Sequence, residues 1–434
     1  MAKHSGRTAL QEAANSGHLH VMGLLLNKGA DVNAGPITPL QLAATGGYLD
    51  AMKLLFDWQA SLGVADIGGF EEVAKGGHLD AMELLLARGA VISAVTSGNA
   101  LEGAVKGEHL DVMSYLLDKE VDFGLVRSKY GLRPTYLLVA VGGGRLMAVK
   151  LLLKHGVDVN AIGQRVSYSS ATINGRTALQ EAGKGGHLDV IKLLLGRNAD
   201  INAPISNQGW SALQGAAAGG RLNAMKLCKG QQRAHLDAVK LLLDRSADVN
   251  ASPGERCSLT ALQAAATGGH LEAMELLLLA GAEINAPPSP VFGYTALQAA
   301  AGGSYHFDAV QLLLQKGADL NAAAGSYGST VLQIAANKVI LDVVTLLLEK
   351  GADVNEARDL SNGLVKLFLD KGANANAEGK DGKSALNLAV SNNSLVIANL
   401  LLARGACVKD DTIWRAQPYP HLLSILQKAC NVSG

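Results

Sequence analysis

The chain has 434 residues, enough for two or three ordinary domains or one long repeat array. Its 38 Lys and Arg balance its 38 Asp and Glu, leaving no basic excess to neutralise a phosphate backbone, which argues against nucleic-acid binding as its main role. With 3 Trp, 9 Tyr and 6 Phe against 50 Gly, a core must be built from small and aliphatic side chains, and no apolar run approaches the roughly 18 residues of a membrane helix.

The N-terminal Met1-Ala-Lys-His-Ser-Gly lacks the apolar stretch of a signal peptide. From Thr8 one phrase returns almost end to end: Thr-Ala-Leu-Gln, small residues, Gly-Gly-His-Leu-Asp/Glu, an aliphatic run, then Gly-Ala-Asp-Val-Asn-Ala. It starts at Thr8, Thr38, Gly68, Asn99, Thr135, Thr177, Ser211, Thr260, Thr295, Thr330 and Ser384. Counted on its closing glycine, from Gly29 onward, it makes twelve units of roughly 33 residues. A period of that size means stacked supersecondary units that bury their faces on one another.

Within a unit, Thr-x-x-Gln is a capping box: the hydroxyl accepts from the amide three residues on, and the Gln reaches back to the cap amide. An Ala-rich helix of about two turns follows, as in Ala261 to Ala266, slim enough for close stacking. The Gly-Gly pair ends it, and a second helix opens at His-Leu-Glu with an apolar stripe at Leu271, Met274, Leu277 and Leu278. Gly281 caps that helix and Ala282-Glu-Ile-Asn leads into a connecting finger.

This helix, turn, helix, finger unit resembles the ankyrin repeat, and the resemblance covers about residues 5 to 409. Gln consistently replaces the family's His at the end of the opening motif, where either donor serves the cap. The wording Thr-Ala-Leu-Gln-Ala-Ala-Ala with Gly-Gly-His-Leu-Glu looks most like fungal members. The resemblance implies an all-α solenoid, with partners bound in a groove of fingers and inner helices.

Irregularities are met along the chain. The first four units have short fingers, with four residues between Asn33 and Thr38, whereas residues 161–176 form a long one. In the seventh unit Arg221-Leu-Asn-Ala-Met-Lys-Leu is echoed by His235-Leu-Asp-Ala-Val-Lys-Leu, so residues 221–241 write the start of an outer helix twice. Over 356–377 the interval shrinks to 21 and no capping box precedes Leu364, as if one inner helix were missing. Either irregularity is functional or reflects decay of the sequence or a faulty reading of the gene, and the stack is expected to open first at these two places. Residues 410–434 leave the pattern and are expected to form a closing helical cap.

No chemistry-bearing motif survives its context. Ala377-Glu-Gly-Lys-Asp-Gly-Lys-Ser384 satisfies a relaxed phosphate-loop pattern, but it joins the finger of one repeat to the start of the next and follows no buried strand. Gly142-Gly-Gly is a turn within one unit. Six of the 11 histidines (His18, His78, His109, His187, His235 and His270) share one repeat position. Packed helices stand about 8–10 Å apart, so neighbours in that row cannot share a metal that needs bonds of about 2 Å. Capping and polar contacts at the second helix account for them. Cys228, Cys257, Cys407 and Cys430 follow no metal or disulfide spacing and suit a reducing compartment, cytoplasm or nucleus.

The residue before each capping Thr or Ser varies while its surroundings do not: Arg7, Ile37, Pro134, Arg176, Trp210, Leu259, Tyr294, Ser329 and Lys383. In the resembled family this position lies beside the groove. Arg165, Tyr168, Arg176, Trp210, Phe292, Tyr294 and Tyr327 are therefore the expected partner-binding residues, because exposed rings and Arg anchor interfaces. The alternative is that the rings pack between adjacent fingers. A non-catalytic, monomeric protein-binding scaffold without cofactor, metal, nucleic-acid or membrane partner is the leading expectation. A regulatory or sensor fragment of a larger signalling protein follows, and then an accessory of a fungal metabolic pathway.

Overall fold

The computed structural model describes residues 7–62, 66–90, 94–118, 127–128, 131–132, 136–166, 172–204, 209–219, 229–252, 259–288, 293–303, 306–322, 330–338, 340–352, 369–370, 372–377 and 384–432. They form antiparallel helix pairs, an all-α repeat solenoid, and among them the only strands belong to two short hairpins.

The capping boxes start the inner helices. Thr177 N donates to Gln180 Oε1 at 3.0 Å while Gln180 N donates to Thr177 Oγ1 at 3.4 Å, and the same reciprocal pair is made at Thr8, Thr38, Ser211, Thr260, Thr295 and Thr330. At the other end Gly186 and Gly269 hold φ of +65° and +66°, left-handed caps that a side chain would strain. The outer helices bury one face, as Leu271–Leu279 does with Ala273, Met274 and Leu277, while Leu271 and Leu278 are half-buried.

One expectation needs correction. His18, His78, His187 and His270 do hold the N-cap position of the outer helices, yet none caps through its side chain. The backbone explains it: ψ is 163° at Thr177, which aims a side chain at the first turn, but 76° at His187. The rings instead lie across the glycine turn of the preceding repeat, His187 on Gly144 and His235 on Gly186. Polar contacts are made there, with His109 Nε2 2.9 Å from the Lys75 carbonyl oxygen and His187 Nε2 3.4 Å from that of Gly142.

Packing divides the chain into two units, one of Met1–Ala216 with Leu227–Ala247 and the other of Ala217–Lys226 with Asp248–Gly434. The first runs from the pair Ala9–Asn15 and Leu19–Asn27 to the pair Ala178–Gly185 and Leu188–Leu195, and includes the helix Lys229–Asp244. At 16 residues that helix is far longer than the usual nine: the second writing, from His235, supplies the buried Ala238, Val239 and Leu242, and the residues before it add helix at its N-terminal end. The first writing, Arg221–Cys228, lies outside the described residues.

The second unit contains the pairs from Ala261–Gly268 to Leu395–Ala403 and ends in Asp410–Ala416 and Pro420–Val432. Most of the shortened stretch 356–377 lies outside the described residues. After it, Leu369, Leu386, Val390, Leu401, Leu422 and Leu426 share an apolar core cluster. Asn387 stands where other repeats have Gln, and its Nδ2 donates to Asp411 Oδ2 at 2.8 Å while Thr412 Oγ1 donates to its Oδ1. The helix Asp410–Ala416 thus meets the repeat before it through the same buried position that other repeats use to hold their fingers.

Candidate partner-binding surface

The fingers are built from the Gly-Ala-Asp-x-Asn phrase. Asp158 Oδ1 accepts from Asn160 N at 2.9 Å, Asp200 from Asn202 N at 3.0 Å and Asp319 from Asn321 N at 2.9 Å, so the carboxylates make Asx turns, as their spacing suggests. The Asn two residues on joins successive repeats. Asn250 Nδ2 donates to the Gly281 carbonyl at 3.0 Å and its Oδ1 accepts from Glu283 N at 2.8 Å. Asn285 does the same with Gly317 and Asp319, and Asn376 with Gly405 and Cys407.

A second pin comes from the capping Gln. Its Oε1 is engaged by the cap amide, which leaves Nε2 to donate across to the following finger. Gln180 reaches the carbonyls of Ala203 and Pro204 at 3.2 and 3.3 Å, and Gln263 those of Ala286 and Pro287 at 3.1 and 3.2 Å. Gln11 bonds Ala34 and Ile37 in the same way. One buried carboxamide therefore caps a helix and ties down a finger, which is the reason a Gln is used here.

Rings before the capping residue are carried on these tied segments. Tyr294 is 47% exposed although Gly293 and Thr295 on either side are buried. Trp210 is half-buried between the buried Gly209 and Ser211. The position is not uniformly outward, since Ile37 is exposed but Leu259 is 7% exposed and belongs to the core. Trp210 falls in the first unit and Tyr294 in the second.

The long finger is a hairpin of Gly163–Val166 with Thr172–Arg176, in which Gly163 faces Arg176 and Arg165 faces Ile173. The guanidinium of Arg176 is already engaged: Nη1 lies 3.0 Å from Glu181 Oε2 on the following inner helix, and Lys184 stands 3.8 Å from the same carboxylate group. Arg165 is placed here by its backbone alone, and Tyr168, Phe292 and Tyr327 lie outside the described residues. Arg165 and Arg176 are thus brought onto one hairpin.

The inner helices add paired charge, Glu72 with Lys75 at 3.4 Å and Glu102 with Lys106 at 2.8 Å. The first pair is open to solvent on both sides and contributes little stability, whereas the Glu102 side chain is only 15% exposed. Burial lowers the pKa of His270 below its usual range, against the raising effect of the Ala218 carbonyl and Glu272. His306 is lowered by burial and by its neighbour His270. Both belong to the turn-stacking row. Among the described residues no cluster of His, Cys, Asp or Glu could hold a metal ion, and no helix is long and apolar enough to cross a membrane.

Two exposed apolar features escaped the reading of the repeat phrase. A shallow groove between the outer helices Leu19–Asn27 and Leu49–Asp57 is lined by Leu19, Gly23, Leu24, Lys53 and Leu54. Leu279, at the end of its outer helix, is 82% exposed. The available signal was positional: Gly23 and Leu279 stand where other repeats place Lys53, Glu83 and Lys150, or Asp57, Asp118 and Lys154.

Models of ankyrin repeats match the chain, one built on three copies at residues 1–66, 71–163, 137–251 and 287–358, and one built on many copies at residues 226–278. No curated protein matches it.

Proposed function

The chain belongs to the ankyrin-repeat family, whose repeats are generally protein–protein interaction modules and typically non-catalytic, and we propose that it is a scaffold that binds a protein partner through its fingers. The partner is engaged by the ring and guanidinium side chains of residues 161–176, 204–210 and 287–294, with Trp210 and Tyr294 as anchors. The observation that carries this reading is the exposed ring of Tyr294 next to the buried Thr295, at the end of the finger that Gln263 Nε2 holds by the Ala286 and Pro287 carbonyls at 3.1 and 3.2 Å. A ring fixed to a tied backbone loses little freedom on binding, and aromatic anchors of this kind dominate interface energies. Arg176 serves as a rim residue, because its partner Glu181 already holds it.

The test is an affinity capture from the source organism's lysate with the intact chain and with a Trp210→Ala/Tyr294→Ala variant of equal helicity. A protein recovered only by the intact chain supports both scaffold and site. Equal recovery by both baits leaves a scaffold but removes these anchors. Recovery by neither sinks the scaffold reading.

A further inference from the structure

One position sets the outer helix Leu19–Asn27 apart. Gly23 stands in mid-helix where the equivalent residues of other repeats are Lys53, Glu83, Lys150, Lys192 and Lys240. A glycine there weakens the helix, because it loses more backbone freedom on folding than a residue with a side chain. Its φ is not in the left-handed region, and a Cβ built on it would meet nothing within 4 Å. Neither backbone conformation nor packing requires the glycine. Its effect is to leave open the groove between this helix and Leu49–Asp57, about 620 Å³ in volume.

The groove has an apolar stripe and a negative end. Leu19 and Leu24 are exposed along one wall, and Leu54 is half-buried on the other. Lys53 is engaged by Asp50 of its own helix, 3.3 Å away. Asp57, exposed in the same lining, makes no ion pair among the described residues. It ends its helix, whose last turn carries no basic residue to offset the partial negative charge of the terminal carbonyls. An uncompensated negative site thus lies beside aliphatic side chains.

We propose that this groove receives a cationic amphipathic helix of a partner protein, at a surface separate from the fingers. Two helices side by side form a furrow into which a third packs, and the missing side chain at Gly23 lets its ridge approach closely. The apolar stripe of the incoming helix covers Leu19, Leu24 and Leu54, and a Lys or Arg on its flank reaches Asp57. The walls are nine residues each, which suits an incoming helix of about 14 Å. An extended segment finds no edge to pair with, because helices satisfy their backbone groups internally. An anionic segment is repelled by Asp57.

The test is fluorescence anisotropy, with the full chain titrated into a labelled synthetic peptide of about 15 residues that carries leucines on one helical face and lysines on the other. A second peptide has glutamates in place of the lysines. The lysine peptide is expected to bind, and the glutamate peptide at least ~10-fold more weakly. Gly23→Gln supplies the side chain that Gln311 has at the same repeat position and favours the helix. It lowers the affinity for the lysine peptide at least ~10-fold, because the groove is filled. Asp57→Lys reverses the preference between the peptides. Trp210→Ala/Tyr294→Ala leaves both affinities unchanged, which separates this surface from the fingers. Binding of neither peptide overturns the proposal, as does binding that Gly23→Gln does not weaken or that the finger variant abolishes. Equal or tighter binding of the glutamate peptide, or a preference that Asp57→Lys does not move, overturns the cationic occupant.

Discussion

The ring of His235 occupies the space that a side chain on Gly186 would need: a Cβ on Gly186 would stand 2.8 Å from His235 Cε1. Gly186 closes one repeat's inner helix and His235 lies within the outer helix Lys229–Asp244 of the next. The two residues are therefore one contact, repeated as Gly144 with His187 and Gly219 with His270. The glycine is needed twice over, for its φ of +65° and for the room it leaves.

Gly186→Ala is accordingly expected to destabilise the array by about 2–4 kcal/mol, from a left-handed alanine and an overpacked turn. His235→Ala removes the clash but not the backbone strain. A double-mutant cycle read by urea unfolding should show the double variant less destabilised than the two single losses added together. Simple additivity would mean that the ring and the glycine do not compete for space.

Gln263→Leu removes a cap acceptor and the donor to two finger carbonyls from a site 1% exposed. Left unsatisfied, these groups cost about 2–3 kcal/mol. Gln263→His, which restores the family's residue, should cost less, because one ring nitrogen can accept from Thr260 N while the other donates to the finger. Equal losses in thermal unfolding would show that the carboxamide acts by its volume alone.

Asn250→Ala deletes the bonds to the Gly281 carbonyl and the Glu283 amide. The site is exposed, so water replaces part of the loss and the expected cost is about 0.5–1.5 kcal/mol. Hydrogen exchange reads it locally: the Glu283 amide should exchange faster by up to about tenfold, with the amides of Leu19–Asn27 unchanged.

Stability should fall on mild acidification. His270 and His306 have folded pKa values lowered from 6.5. A depressed histidine binds its proton more readily when unfolded, so its contribution is present above pH 6.5 and is lost as pH drops from there to the folded value. Urea midpoints at pH 7.5 and 5.5 should differ, and His306→Gln should reduce the difference. An unchanged difference in that variant would place the pH dependence elsewhere.

What the sequence determined by itself is the repeat. Local groups carry it: Thr177 and Gln180 lie three residues apart and close their box inside one turn, and the glycines at 186 and 269 need nothing beyond their own backbone. The Asx turns were legible for the same reason. Contacts between repeats were not, because each joins groups some 23 to 49 residues apart, as Gln180 joins Ala203 and His235 covers Gly186. For that reason the histidines read as caps on sequence and prove to be the packing surface of a neighbouring turn. The candidate surface divides in the same way. The residue before each cap was visible as a variable position, but only the packed structure buries Leu259, ties Arg176 to Glu181 and leaves Tyr294 open. Exposure belongs to what stands beside a residue.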